Sequence, residues 1–185
     1  DERPKRPVPT PDEAAAQLLF NLGRGAKGIL WFTFRISVGE QYPDLRQAIQ
    51  QWNRVLLMCR DDLLSAEPIQ AVTHSDEKLD VAVLASWDKL FVLIVNKDYE
   101  INDTAYRWRP VENARVDIKL PRWIQPQSVI DLDGEAPKKV NFSLKARQLV
   151  LELSDIKTCR FIVVDNNPDS FERFTTTFQR ILTTE

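Results

Sequence analysis

The chain has 185 residues, 43% of them hydrophobic, with 25 Lys and Arg against 27 Asp and Glu and a formal net charge of −2. That balance excludes broad electrostatic binding to nucleic acid, and no apolar run approaches the roughly 20 residues of a membrane span. The sequence begins without Met and shows no pattern of a signal peptide or transit sequence; at this length it is expected to hold about one domain and to be a piece of something longer.

The opening DERPKRPVP reads as an extended lead-in, with three prolines and basic residues balanced by acids. PDEAAAQLLFNLG then carries the signals of a helix. Thr10 is placed to cap it, Pro11 to occupy its first turn, and Glu13, three residues after Thr10, to complete a capping box. Gly23 and Gly25 supply the stop. GILWFTFR follows, apolar on both parities until its end, which predicts a strand covered on both faces as in a parallel sheet. Its parity predicts Leu30, Phe32 and Phe34 against outer helices, with Trp31, Thr33 and Arg35 on the other side.

YPDLRQAIQQWNRVLLMCRDDLLSA predicts a second helix from Pro43, with Leu45, Ile49, Trp52, Leu56, Cys59 and Leu63 in one stripe. After Pro68 the pattern changes. LDVAVLASWDKLFVLIVNKD gives two apolar runs around a hairpin turn at 86–89. ARVDIKL alternates, placing Val116, Ile118 and Leu120 on one face, and SVIDLDGE ends in an Asp-Gly turn. KVNFSL, QLVLELS and CRFIVVD are further strands. Short strands at this spacing predict an antiparallel sandwich. SFERFTTTFQRIL closes with Phe171, Phe174, Phe178 and Ile181 on one helical face, which needs a surface to cover. It is expected to dock on the sandwich or on the second helix. The predicted fold class is therefore α+β: helix, strand and helix over 1–67, an antiparallel β-sandwich over 68–166, and a C-terminal helix over 167–185.

Chemistry-bearing residues are sparse. Cys59 and Cys159 read as buried free thiols, with a disulfide as the alternative, so the compartment stays open. His74 is the only histidine, which leaves no multi-histidine metal site and no histidine-based triad. Asp131, Asp133 and Glu135 lack the further ligands of a calcium loop, and a turn explains them. Asp61 and Asp62 read as a solvated helix face. No metal, cofactor or catalytic residue is predicted. The candidate ligand contacts are Trp31 and Arg35 on the aromatic strand, and Tyr106 and Trp108, which share a face of AYRWRP opposite Arg107 and Arg109. For each of these aromatics, packing is the competing reading.

The segment PTPDEAAAQLLFNLGRGAKGILWFTFR resembles the last helix-to-strand crossover of (β/α)8-barrel glycoside hydrolases, and residues 42–66 resemble their closing helix. Residues 69–165 resemble the C-terminal β-sandwich that follows such barrels, in LFVLIVNKD, VIDLDGE and LVLELSDIKTCRFIVV. A barrel needs roughly 250 residues, so the resemblance implies the end of one, with its sandwich attached. It implies a carbohydrate-active parent whose two catalytic carboxylates sit on earlier strands, commonly the fourth and seventh. This chain alone is then expected to show no turnover. The sandwich would be a structural accessory. The alternatives are a non-catalytic carbohydrate- or protein-binding module, and a barrel protein that has lost its acids. Expected partners are a carbohydrate and the remainder of the barrel, with no nucleic acid and no membrane. Cut from its barrel, the chain is expected to self-associate through exposed apolar strand edges. The resemblance leans toward an extracellular or periplasmic setting.

Overall fold

A computed structural model describes residues 8–31, 40–101, 106–133 and 136–184. Helix α1 (Pro11–Gly23) opens on the predicted capping box: the Thr10 hydroxyl accepts from Glu13 N at 3.2 Å, and the Glu13 carboxylate accepts from Thr10 N at 2.8 Å. It ends in a Schellman turn, with Ala26 N donating to Asn21 O and Gly25 N to Leu22 O. Gly25 takes the left-handed φ of 91° that this turn requires. Helix α2 (Pro43–Ser65) starts at Pro43 and buries Leu45, Ala48, Ile49, Trp52, Val55 and Cys59, close to the predicted stripe. Among the described residues, no helix is long and apolar enough to cross a membrane.

The rest is antiparallel. Strands β1 (Glu67–Ile69), β3 (Leu79–Ala85), β4 (Lys89–Asn96), β8 (Ser128–Asp131), β9 (Lys138–Lys139) and β12 (Cys159–Asp165) form one sheet in the order β1-β3-β4-β12-β8-β9. Strands β2 (Val72–Ser75), β7 (Ala114–Lys119), β10 (Phe142–Lys145) and β11 (Gln148–Leu153) form a second, ordered β10-β11-β7-β2. A separate hairpin pairs β5 (Tyr99–Ile101) with β6 (Tyr106–Trp108). Helix α3 (Ser170–Thr184) closes the described chain.

These elements make three layers. Leu90, Val92 and Ile94 of β4, with Ile162 and Val164 of β12, face Val116, Ile118, Leu149 and Leu151 of the four-stranded sheet. The intervening residues Phe91, Leu93, Phe161 and Val163 face the other way. There they meet Leu18, Leu19 and Leu22 of α1, Trp52 and Val55 of α2, and Phe174 of α3. The predicted fold class thus holds: α+β, with an antiparallel sandwich and helices. Helix α3 packs on both α2 and β8, burying Phe174 and Phe178, as its sequence required.

One prediction is corrected. Residues 28–31, expected to begin a strand, have no regular secondary structure, and residues 32–39 lie outside the described residues. Leu30 is 84% exposed, while Trp31 packs on the helix side against Ala14, Leu45 and Ile49. For Leu30 and Trp31 that reverses the inside–outside assignment drawn from parity; Phe32, Thr33, Phe34 and Arg35 lie outside the described residues. Period-two reasoning needs a ladder to fix it, and residues 28–31 have none. Among the described residues, β4 and β12 are strands covered on both faces.

Candidate functional site

The candidate site is a groove between α1 and the β5–β6 hairpin. It begins with Asn96, the last residue of β4, which is only 1% exposed. Its side-chain nitrogen donates to the carbonyls of Arg109 at 2.8 Å, Ile156 at 3.1 Å and Lys157 at 2.8 Å. Its Oδ1 accepts from Asp98 N at 2.7 Å, and its carbonyl accepts from Trp108 Nε1 at 3.1 Å. A buried amide with every polar atom engaged is rigid, so it fixes where the hairpin leaves the sheet.

Register in the hairpin then decides which side chains meet. Tyr99 lies opposite Trp108, and Ile101 opposite Tyr106. Since residues two apart share a face, Tyr99, Tyr106 and Trp108 converge. Tyr99 and Tyr106 meet edge to face at 4.9 Å between ring centres, and Tyr106 stacks on Trp108 at 5.8 Å. Arg107 and Glu100 pair in register on the other face. Arg109 reaches Glu100 and Asp98, which keeps that charge in ion pairs.

Helix α1 forms the opposite wall through Glu13, Ala16, Gln17, Phe20 and Asn21, with Val95 and Asn96 between the two walls. The groove holds about 200 Å³. Glu13 ties its two sides together, since Oε1 accepts from Tyr106 N at 2.9 Å while Oε2 serves the helix cap. Arg24 sits over the Phe20 ring at 3.4 Å and pairs with Asp80 at 2.7 Å.

Of the residues singled out from sequence, Tyr106 and Trp108 are brought together, and Trp31 is placed elsewhere. Trp31 donates through Nε1 to Asn53 at 3.2 Å and does not line the groove. Arg35 lies outside the described residues. Tyr99, Glu13 and Asn96 were not anticipated. Tyr99 could be recognised only through cross-strand register. For Glu13 the capping box gave one of its two roles.

The described carboxylates singled out from the sequence, Asp61, Asp62, Asp131 and Asp133, are engaged in ion pairs. Asp131 and Asp133 converge on Arg160, at 3.0 and 3.4 Å, and Glu135 lies outside the described residues. Burial pushes the Asp131 carboxyl up to about 6, against the pull of Arg160. Asp62, expected on a solvated face, instead reaches Lys89 at 3.3 Å. Burial opposes the Lys89 charge, but Asp88, Asp165 and Asp62 together raise its pKa above the ordinary lysine value. Neither cysteine is paired. Burial pushes the Cys59 thiol up, and Cys159 up to about 12, so both stay protonated and unreactive at neutral pH.

No family model matches the sequence, and no curated protein matches it. Solved structures similar to the chain include the Paenibacillus sp. cycloisomaltooligosaccharide glucanotransferase complexed with cycloisomaltoheptaose. That match has a TM-score of 0.54 at 9% identity, over 66% of this chain and 21% of the other. Alpha-L-fucosidase isoenzyme 2 from Paenibacillus thiaminolyticus matches with a TM-score of 0.40 at 10% identity, over 69% of this chain and 19% of the other. The chain therefore spans about a fifth of the length of these proteins. At such identities the likeness to the glucanotransferase is one of fold, and the weaker match carries no argument.

Proposed function

We propose that the chain is the C-terminal region of a carbohydrate-active (β/α)8-barrel protein, a glycoside hydrolase, with the sandwich as a structural accessory domain. The observation that carries this reading is the double covering of the six-stranded sheet. Phe91, Leu93, Phe161 and Val163 form an outer face as apolar as the inner one, and helices α1 and α2 cover it. Those helices are the segment that resembles the end of a barrel. A sandwich of this kind is built to be held against helices, so it supports its neighbour. The fold shared with part of the glucanotransferase agrees with such a placement. In this reading the chain contributes no catalytic residue, and the acids come from earlier barrel strands.

The test uses the full-length parent with and without residues 68–185. The expected result is that removal lowers the melting temperature sharply and leaves the barrel aggregation-prone, because its last helices then expose Leu18, Leu19 and Val55. A truncated parent with unchanged melting temperature and kcat/KM would overturn the accessory role.

A second reading, a ligand-binding groove for carbohydrate, is favoured by the convergence of Tyr99, Tyr106 and Trp108. Aromatic faces stack on the C–H faces of sugar rings, and both tyrosines are more than 40% exposed. The two readings are compatible, since the groove lies on the hairpin side of α1.

A further inference from the structure

We infer that the groove at Tyr99, Tyr106 and Trp108 takes a single uncharged sugar ring and rejects acidic sugars; this rests on the reading of that groove as a carbohydrate contact. Size comes first. At about 200 Å³ the groove falls below the roughly 300–1,000 Å³ of sites that enclose drug-sized ligands. The groove seats one ring, and the other rings of a longer glycan lie outside it.

Charge decides the class of ring. The described residues lining the groove include no Lys, Arg or His. Its one ionisable carboxylate, Glu13, has both oxygens already accepting backbone N–H bonds. Among the described lining residues, a uronate or sulfate entering there would meet a fixed negative charge and no cation, and would lose its hydration without a partner. The guanidinium of Arg24 is held over Phe20 and against Asp80, and that of Arg109 against Asp98 and Glu100. The remaining polar side chains that reach the rim, Gln17 and Asn21, are amides, which both donate and accept and so suit hydroxyl groups. Aromatic faces with amide edges and no free charge match a neutral pyranose.

The test is a titration of the intact chain, followed by tryptophan fluorescence, with maltohexaose and isomaltohexaose as neutral probes and hexagalacturonate as the anionic one. A single ring of contacts supports a Kd of about 1 mM. At least one neutral probe should bind near that value, and hexagalacturonate at least about tenfold more weakly. Trp108→Ala should weaken the neutral probe by about tenfold or more. Tyr106→Leu, which keeps the bulk, should do the same if the alanine variant folds poorly. Gln17→Lys, on an exposed helix position, should bring hexagalacturonate binding up toward the neutral value. Hexagalacturonate binding as tightly as the neutral probes, and weakened by Tyr106→Leu, would overturn the neutral class while leaving the groove as a sugar site. Neutral binding that survives both aromatic substitutions would overturn the groove itself. So would no binding of any probe up to about 10 mM, and the accessory role would then stand alone.

Discussion

The two faces of the six-stranded sheet are filled differently. Toward the four-stranded sheet the buried contacts are aliphatic, with Leu90, Val92, Ile94, Ile162 and Val164 against Val116, Ile118, Leu149 and Leu151. Toward the helices the core includes Trp52, Phe91, Phe161 and Phe174 beside Ala15 and Ala66. Two sheets stack about 10 Å apart with roughly flat surfaces, which side chains of medium, uniform size fill. Helices are cylinders, so the gap above a sheet varies, and large rings must fill the wide parts while alanines sit at the narrow ones. Phe91 and Phe161, edge to face at 5.8 Å, are the fully buried rings of this layer. The same strands therefore solve two packing problems at once, one with each parity.

The sharpest way to break this arrangement is Phe91→Ala. The ring is fully buried, and its removal should cost about 3–5 kcal/mol. The loss should show first as faster amide exchange in α1 and α2, with β7 and β11 least affected. Equal loosening of both layers would show that the two cores act as one.

Asp131 comes next, at the margin of the same sheet. Its Oδ1 is buried without a partner, and burial holds its pKa at about 6 instead of 3.8. The folded state therefore binds the proton more tightly than the unfolded chain. Stability should fall as pH rises from about 4 to 6, by up to about 3 kcal/mol from this group. Asp131→Asn should flatten that slope in melting temperatures measured from pH 4 to 7.5. An unchanged slope would assign the pH dependence elsewhere.

A smaller effect is expected where helix and sheet come closest. At Gly23 an added Cβ would lie 2.7 Å from the Ala82 Cβ, so Gly23→Ala should cost about 1–3 kcal/mol by pushing α1 off β3. Denaturant unfolding measures it, and Ala82→Gly in the same chain should restore part of the loss. The smallest expected change lies on the far layer. The β10–β11 turn has Ala146 and Arg147 at positive φ, 46° and 67°, a conformation that asparagine tolerates better than alanine. Ala146→Asn should recover part of the roughly 1–2 kcal/mol that a left-handed backbone costs an L-residue, seen as a small rise in melting temperature with no effect on helix exchange.

The sequence revealed most of the elements because patterning and caps are local. Thr10 and Glu13, the Pro43 start, and the alternation of Val116, Ile118 and Leu120 each follow from neighbours in the chain. Apolarity on both parities was also visible, but in three places: GILWFTFR, LFVLIVN and RFIVV. It says that a strand is covered twice and not by what. Assigning it to a parallel barrel strand was one solution. For LFVLIVN and RFIVV the structure shows an antiparallel sheet with helices on one side and strands on the other, while residues 32–39 of the first run lie outside the described residues. Half of the groove was legible in the same way, since Tyr106 and Trp108 are two residues apart. Tyr99 and Glu13 join them through a hairpin register and a contact spanning 93 positions, which no local rule contains.

Asn96 shows how much durability can hang on one nitrogen. Its amide has two hydrogens and offers them to three carbonyl oxygens drawn from two distant stretches of chain. Spontaneous hydrolysis of that amide would exchange the nitrogen for an oxygen with scarcely any change of shape. The three attractions made by that nitrogen would then become repulsions between a carboxylate and the carbonyls, while Asp98 N would still donate to Oδ1. The hairpin, the β11–β12 loop and the end of β4 would lose their common anchor together. The near-complete burial of Asn96 keeps water from that amide, so the seclusion that organises the groove also slows this reaction.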